Sequence, residues 1–274
     1  MNAGAPVGVR RQYVDVPFGQ IHVARSYPAP RDGGPPVVLL HQTPRSWDEY
    51  AEVIPLLGRT RGVVAIDLPG MGGSDAHPGG ASIEHFADGV VGTVDGLGIG
   101  RFDLVGHHTG GVVAFEVAAT VPARVRRLVL SSTPFVDAEG RRKRATRPPI
   151  DAVEVASDGR HLMELWQRRQ RFYPDGRLDL LTRFVGDALR AHDPEDGHRA
   201  VAAYVMEDRV SDVVADVLLV GHGADPYSYP ELDTLAAALG EPERAVIDHG
   251  MVPLEYAAAE FAAIVETFLS AGRD

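Results

Sequence analysis

The ten residues FDLVGHHTGG, Phe102–Gly111, decide how the chain is read. Phe102–Val105 has strand character, and Val112–Thr120 carries a helical pattern. Between them the glycines at 106, 110 and 111 mark a sharp turn. A strand that turns this tightly into a helix lifts one side chain above the sheet, and small neighbours let strand and helix approach each other. The helix N-terminus behind that side chain offers backbone N–H groups and the positive end of a dipole. A turn of this build usually presents a nucleophile. Here it presents His108.

The chain around it has 274 residues, enough for one large α/β domain or two small ones. Hydrophobic residues make up 45%, which supports a packed core rather than global disorder. The net charge of −11 argues against a nucleic-acid binder, whose footprint is a basic face. With no cysteine, disulfides and thiolate metal sites are excluded. The first residues, MNAGAPVGVRRQ, lack the apolar segment of a secretory signal. No run of about 18 apolar residues suggests a membrane span. The expectation is a cytoplasmic protein with a small-molecule substrate, no nucleic-acid or membrane partner, and homo-oligomerisation left open.

Tyr13–Pro17 and Gln20–Ser26 alternate polar and apolar residues about a bend, as a hairpin does. Apolar runs follow at Pro36–Leu40, Val63–Asp67, Val125–Ser131, Val217–Val220 and Arg244–Ile247. Helical patterns separate them at Trp47–Leu57, Ser82–Leu97, Pro230–Leu239 and Ala257–Leu269. This alternation predicts a mostly parallel, doubly wound sheet with helices on both faces. From Asp137 to Ala215 no strand-like run occurs, and Gly159–Phe172, Leu178–Ala191 and Glu195–Met206 read as helices. The expected division is a core of residues 1–136 and 216–274 with a helical cap, 137–215, inserted between two strands. A separate helical domain is the alternative. The run Arg141–Arg144 reads as a solvated loop face.

Ligands of open α/β sheets bind beyond the carboxyl ends of the strands. The residues there include His41-Gln42-Thr43-Pro44, Asp67-Leu-Pro-Gly-Met-Gly-Gly-Ser74, Gly106-His-His-Thr-Gly110, Gly221-His-Gly-Ala-Asp225 and Asp248-His-Gly-Met-Val-Pro253. In order and spacing, over nearly the whole chain, they resemble the α/β-hydrolase superfamily. The 67–74 segment is similar to that family's D-x-x-G-x-G-x-S, and 106–110 to its G-x-S-x-G elbow. The resemblance implies an α/β-hydrolase fold with an inserted helical cap. It also implies an oxyanion hole from the amides of Thr43 and Thr109, with Gln42 replacing a family glycine beside Thr43.

Three departures bear on the chemistry. His108 stands where the family carries Ser, Cys or Asp. Aligned on Met251-Val252-Pro253, the family's catalytic histidine position holds Gly250, and His249 falls one place early. The acid candidate, Asp225, lies in an irregular loop. The ordinary Ser-His-Asp machine is therefore not assembled. If Gly250 vacates the imidazole space, His108 can fill it and reach Asp225, whose carboxylate would orient the ring and raise its pKa. His107 and His41 read as structural braces, and His22, His77, His85, His161, His192 and His198 receive no role. A metal bound by the histidines at the strand ends is the minor alternative to a metal-free, cofactor-free site.

Trp166, Phe172, Tyr173, Tyr204 and Met206 form an apolar stripe in the cap, of which Trp166 and Phe172 are expected to touch substrate. Tyr227 and Tyr229 are expected pocket hydroxyls, and Arg168, Arg169 and Arg171 a solvated helix face. Three functions stand open. The first is cofactor-free acid–base chemistry on a small, partly apolar carbonyl or ester metabolite by His108 and Asp225 (a lyase, isomerase, cyclase or activated-water hydrolase). The second is a hydrolase with His108 as covalent nucleophile or His249 as base. The third is a non-catalytic small-molecule binder.

Overall fold

The structure, a computed structural model, describes residues 8–27, 34–248 and 250–271. Its strands are β1 (Gly8–Val16), β2 (Gly19–Tyr27), β3 (Val37–Leu40), β4 (Val63–Ile66), β5 (Phe102–His107), β6 (Val125–Ser131), β7 (Asp216–His222) and β8 (Glu243–Ile247). They form one sheet in the order β1-β2-β4-β3-β5-β6-β7-β8. The expected hairpin supplies the antiparallel edge, and β2 runs antiparallel to β4. Every later pairing is parallel.

Helices connect the strands. They are α1 (Ile54–Leu57), α2 (Ile83–Gly96) and α3 (Thr109–Thr120), then α4 (Ala138–Ala145), α5 (Arg160–Gln170), α6 (Leu178–Ala188) and α7 (Asp196–Ala203) between β6 and β7, and finally α8 (Leu232–Ala238), α9 (Pro253–Tyr256) and α10 (Ala258–Ser270). The four-residue runs of β3 and β4 are wholly buried because both faces are covered. Their side chains alternate between two cores. Val38, Leu40, Val64 and Ile66 pack with Phe86 and Val90 of α2 and Val112 and Phe115 of α3. Val37, Leu39, Val63 and Ala65 pack with Ile54 and Leu57 of α1 and Phe261 and Val265 of α10.

Two sequence readings need correction. The helix expected over Trp47–Leu57 is split into a 310 turn, Trp47–Tyr50, and the single turn α1. Pro55 sits in the first turn of α1, where its missing N–H costs no helical bond; one turn further in it would. The Arg141–Arg144 run lies in α4 rather than in a loop. Asp137 caps this helix by accepting from the Gly140 N–H, and Arg141 and Arg144 form paired hydrogen bonds to Glu207 and Glu231. Between β6 and β7 no strand occurs among the described residues, as the sequence predicts. There Leu165 of α5 and Phe184 and Ala188 of α6 make a small core of their own.

Candidate active site

The turn from β5 to α3 is forced by its glycines. A Cβ on Gly106 would lie 2.2 Å from the Gly110 carbonyl oxygen, and one on Gly110 would lie 2.2 Å from that of Leu40. Strand, helix and the neighbouring β3 thus meet backbone to backbone. Between these glycines His108 adopts φ 47°, ψ −116°, a conformation that L-residues rarely take. Its N–H donates to Ser131 O at 3.0 Å, which fixes the turn to β6. Its side chain is 13% exposed and borders a cavity of about 950 Å³.

Two groups from the loop after β7 meet the His108 ring. Nε2 lies 3.3 Å from Asp225 Oδ2, at ion-pair distance but off the hydrogen-bonding direction. Nδ1 lies 3.2 Å from Ser228 Oγ. Asp225 itself is buried, and its Oδ1 accepts from the N–H groups of Tyr227 (2.9 Å) and Ser228 (3.3 Å). One carboxylate therefore shapes the loop that presents Ser228 and also faces the imidazole. Ser228 escaped the sequence reading, although its spacing three residues after Asp225 suits an Asx-type turn. Asp225 does push the His108 pKa upward, as expected, but the net shift is downward. Burial is the largest influence and lowers it, Asp225 opposes this, and Arg169 and His198 lower it further. A His108 pKa below the ordinary value leaves the ring neutral near pH 7 and able to accept a proton.

Gly250, φ 66°, is not an empty slot. A Cβ there would fall 1.2 Å from the Tyr256 hydroxyl oxygen. His249 lies outside the described residues.

The other strand-end histidines are braces. The two nitrogens of His41 span the Gln42 carbonyl oxygen (2.8 Å) and the Leu68 N–H (2.9 Å). Those of His222 span Met251 O and Ser131 Oγ, both 3.0 Å away. His107 is buried against Ser131, and burial first, then the neighbouring His108 and His222, push its pKa well down. His22, given no role from the sequence, has a structural one. It is buried, 2.8 Å from Asp67, whose carboxylate also accepts from the Trp47 and Gly73 N–H groups and so pins the 67–74 loop.

Gln42, Thr43, Thr109, Phe172, Tyr227 and Ser228 line the cavity with His108. Thr109 opens α3, where the first N–H groups have no intrahelical acceptor. Gln42 lines the cavity as expected, with its donors turned to the protein. Its backbone N–H and Nε2 both donate to the buried Glu49 carboxyl, at 2.9 and 2.5 Å. Burial pushes the Glu49 pKa up to about 8. Trp166 and Tyr229 are absent from the lining. Trp166 sits one helical step, about 100°, from the lining residue Gln167. The Tyr229 ring packs on Gly221, where a Cβ would meet it at 3.0 Å. Tyr204 is also core rather than pocket, its hydroxyl donating to Glu116 at 2.6 Å.

The solvated-face reading holds for Arg171, which is exposed, and in part for Arg168, but not for Arg169, and all three border the cavity. Arg168, Arg169 and Arg171 line the cavity together with Arg144, Arg147 and Arg199, against the single lining acid Glu195. Arg169 is buried and grips Asp151 with two hydrogen bonds. Arg171 stacks on Phe172, 4.7 Å from the ring centroid, and donates to Tyr227 Oη at 3.3 Å. Asp151, Glu195 and His198 bring possible metal-ligand atoms within 4.8 Å of one another. Both carboxylates are already engaged, Asp151 by Arg169 and Glu195 Oε1 by three backbone N–H groups. No helix among the described residues is long and apolar enough to cross a membrane.

A parallel sheet, a strained strand-to-helix turn carrying the site residue, and helices inserted after the sixth strand define the class. Residues 35–219 match the model of the alpha/beta hydrolase fold family, and the chain belongs to that family. It is 39% identical over 97 residues to a soluble epoxide hydrolase of a Corynebacterium species, covering 35% of this chain and 34% of that protein. It is 38% identical over 102 residues to the 2-hydroxy-6-oxo-2,4-heptadienoate hydrolase of Pseudomonas putida, covering 35% of this chain and 37% of that protein. The chain thus spans little more than a third of the length of these curated relatives. Among solved structures, an enol-lactonase of Burkholderia xenovorans superposes with a TM-score of 0.76 at 20% identity, over 94% of this chain and 100% of that one. An esterase of Thermogutta terrifontis gives 0.72 at 24% identity, over 95% and 98% of the respective chains. Likeness at this identity speaks to the fold alone.

Proposed function

We propose that the chain is an enzyme that moves a proton on a small, partly apolar carbonyl or ester compound without a cofactor. His108 is the base, Asp225 orients it, and the N–H groups of Thr43 and Thr109 hold the developing oxyanion. The observation that carries this reading is the placement of His108 on the turn with Asp225 at Nε2 and Ser228 at Nδ1. Since Ser228 also lines the cavity, its hydroxyl relays the proton between ring and substrate. Residues 137–215 serve as the cap over a core of 1–136 and 216–274. The excess of cavity arginines favours a substrate with a negatively charged group, because Arg147 and Arg171 have no acidic partner among the described residues. The hydrolases among the relatives support an enzyme.

A second reading rests on the same 3.2 Å contact. Ser228 Oγ gives its proton to His108 Nδ1 and attacks the acyl carbon itself, the protonated ring then passing the proton to the leaving group. This makes a triad with its serine moved to the loop after β7. Direct attack by His108 is less favoured, because each ring nitrogen faces a protein group.

One experiment separates the readings. Purified protein is given phenylacetone in D2O, followed by proton NMR, and in parallel 4-nitrophenyl butyrate, followed by a burst of 4-nitrophenolate. Loss of the α-proton signal that vanishes in His108→Ala supports proton transfer. A burst with an acyl group mapped to Ser228 replaces it with the triad. Turnover of neither, with thermal stabilisation by phenylacetone that survives His108→Ala, overturns both in favour of a binding protein.

A further inference from the structure

Across the cavity from the sheet, α7 brings in a second histidine. His198 lines the same cavity as His108 and is 24% exposed. Its Nε2 lies 2.9 Å from Oδ2 of Asp151, a carboxylate with no exposure. Arg169 grips that carboxylate, and Glu195 holds its backbone by accepting from the N–H groups of Ile150, Asp151 and Ala152. Burial pushes the Asp151 carboxyl up, but His198 and Arg169 more than offset this and hold it below the ordinary carboxylate range. The Nε2–H of His198 therefore points at a fixed anion. Nδ1 has no protein partner among the described residues and is the atom left to exchange a proton.

We propose that His198, oriented by Asp151, is a second proton-transfer residue of this cavity, working as the acid to the base His108. The inference rests on the proton-transfer reading given above. His108 removes a proton from the carbon beside the carbonyl. The C–H electron pair becomes the enolate double bond, and the charge moves to the oxygen under the Thr43 and Thr109 N–H groups. Protonated His198 gives its Nδ1 proton back to the enolate, at carbon or at oxygen, and is left neutral with its Nε2–H on Asp151. One proton enters the protein at His108 and one leaves at His198, and exchange of both rings with solvent water restores their starting states. The charged and titratable groups around His198 are Asp151 and Arg169, Glu195 and Arg199 at its own helix, and His108 across the cavity.

The test is deuterium exchange into phenylacetone by wild type, His108→Gln and His198→Gln over a range of pH. Glutamine at 198 can still donate to Asp151, so the network keeps its geometry while losing the exchangeable ring. We expect His198→Gln to lower kcat about 100-fold, a usual worth of one acid–base group, with KM little changed. Wild-type kcat and profile in His198→Gln, beside an inactive His108→Gln, overturn the second pair and leave the first. If wild type exchanges nothing, the underlying reading fails, and mapped modification by diethyl pyrocarbonate still judges His198. Carbethoxylation of His198 that phenylacetone suppresses keeps it a cavity group, and modification that is absent or unsuppressed overturns the proposal.

Discussion

Glu49 receives both the backbone N–H and the side-chain amide of Gln42, at 2.9 and 2.5 Å, in a place with no solvent exposure. This pair holds the loop whose next residue is Thr43. Because burial raises the Glu49 pKa to about 8, the folded protein keeps a proton there that the unfolded chain releases near 4.5. The stability contributed by that proton is fully present below about pH 4.5 and is lost as pH rises through about 8. Glu49→Gln keeps the shape and cannot ionise. Its melting temperature should lie closest to that of wild type near pH 4.5 and exceed it by a margin that grows to pH 9, by calorimetry at both values. A constant difference across that range would show that Glu49 does not titrate there.

If His108 is the base of the proposed reaction, its lowered pKa sets the acid limb of the rate profile. A base must be neutral, so turnover should fall only below the ordinary histidine value of 6.5. Asp225 is the influence that opposes the lowering, so Asp225→Asn should shift the acid limb to still lower pH while reducing kcat. The rate profile of each protein from pH 4 to 8 gives the answer.

The glycines at the turn should tolerate nothing larger. Gly106→Ala and Gly110→Ala each drive a methyl group into a backbone carbonyl at 2.2 Å, which no rotamer change relieves. A loss of about 2–4 kcal/mol in urea unfolding is expected for each, in the range of severe core overpacking.

If the arginines select for charge, Arg171→Ala should raise KM for phenylpyruvate several-fold and leave KM for phenylacetone unchanged. Equal effects on both would assign Arg171 to packing on Phe172 instead.

Much of this architecture is legible in the sequence because buried parallel strands such as VVLL and VVAI announce themselves by composition. The turn at His108 is equally legible, since its glycines are dictated by backbone contacts within a few residues and with the next strand. Asp225 could be found for the same reason, at a strand end. The contacts of Ser228 with His108 and of His198 with Asp151 could not, because they join residues 120 and 47 apart in sequence, and no local pattern records them. Nor could the sign of the His108 shift, which depends on how far burial outweighs one carboxylate. Arg169 misled for a related reason. A basic helix face reads as solvated until the buried Asp151 that Arg169 grips is located.

The Tyr256 hydroxyl pressed against Gly250 bears on how this chain can be altered. Placing a histidine at position 250 would put its Cβ 1.2 Å from that oxygen, on a backbone at φ 66° that favours glycine. Any redesign that seats an imidazole at 250 is therefore a two-residue problem, in which Tyr256 must move aside or be replaced together with the glycine.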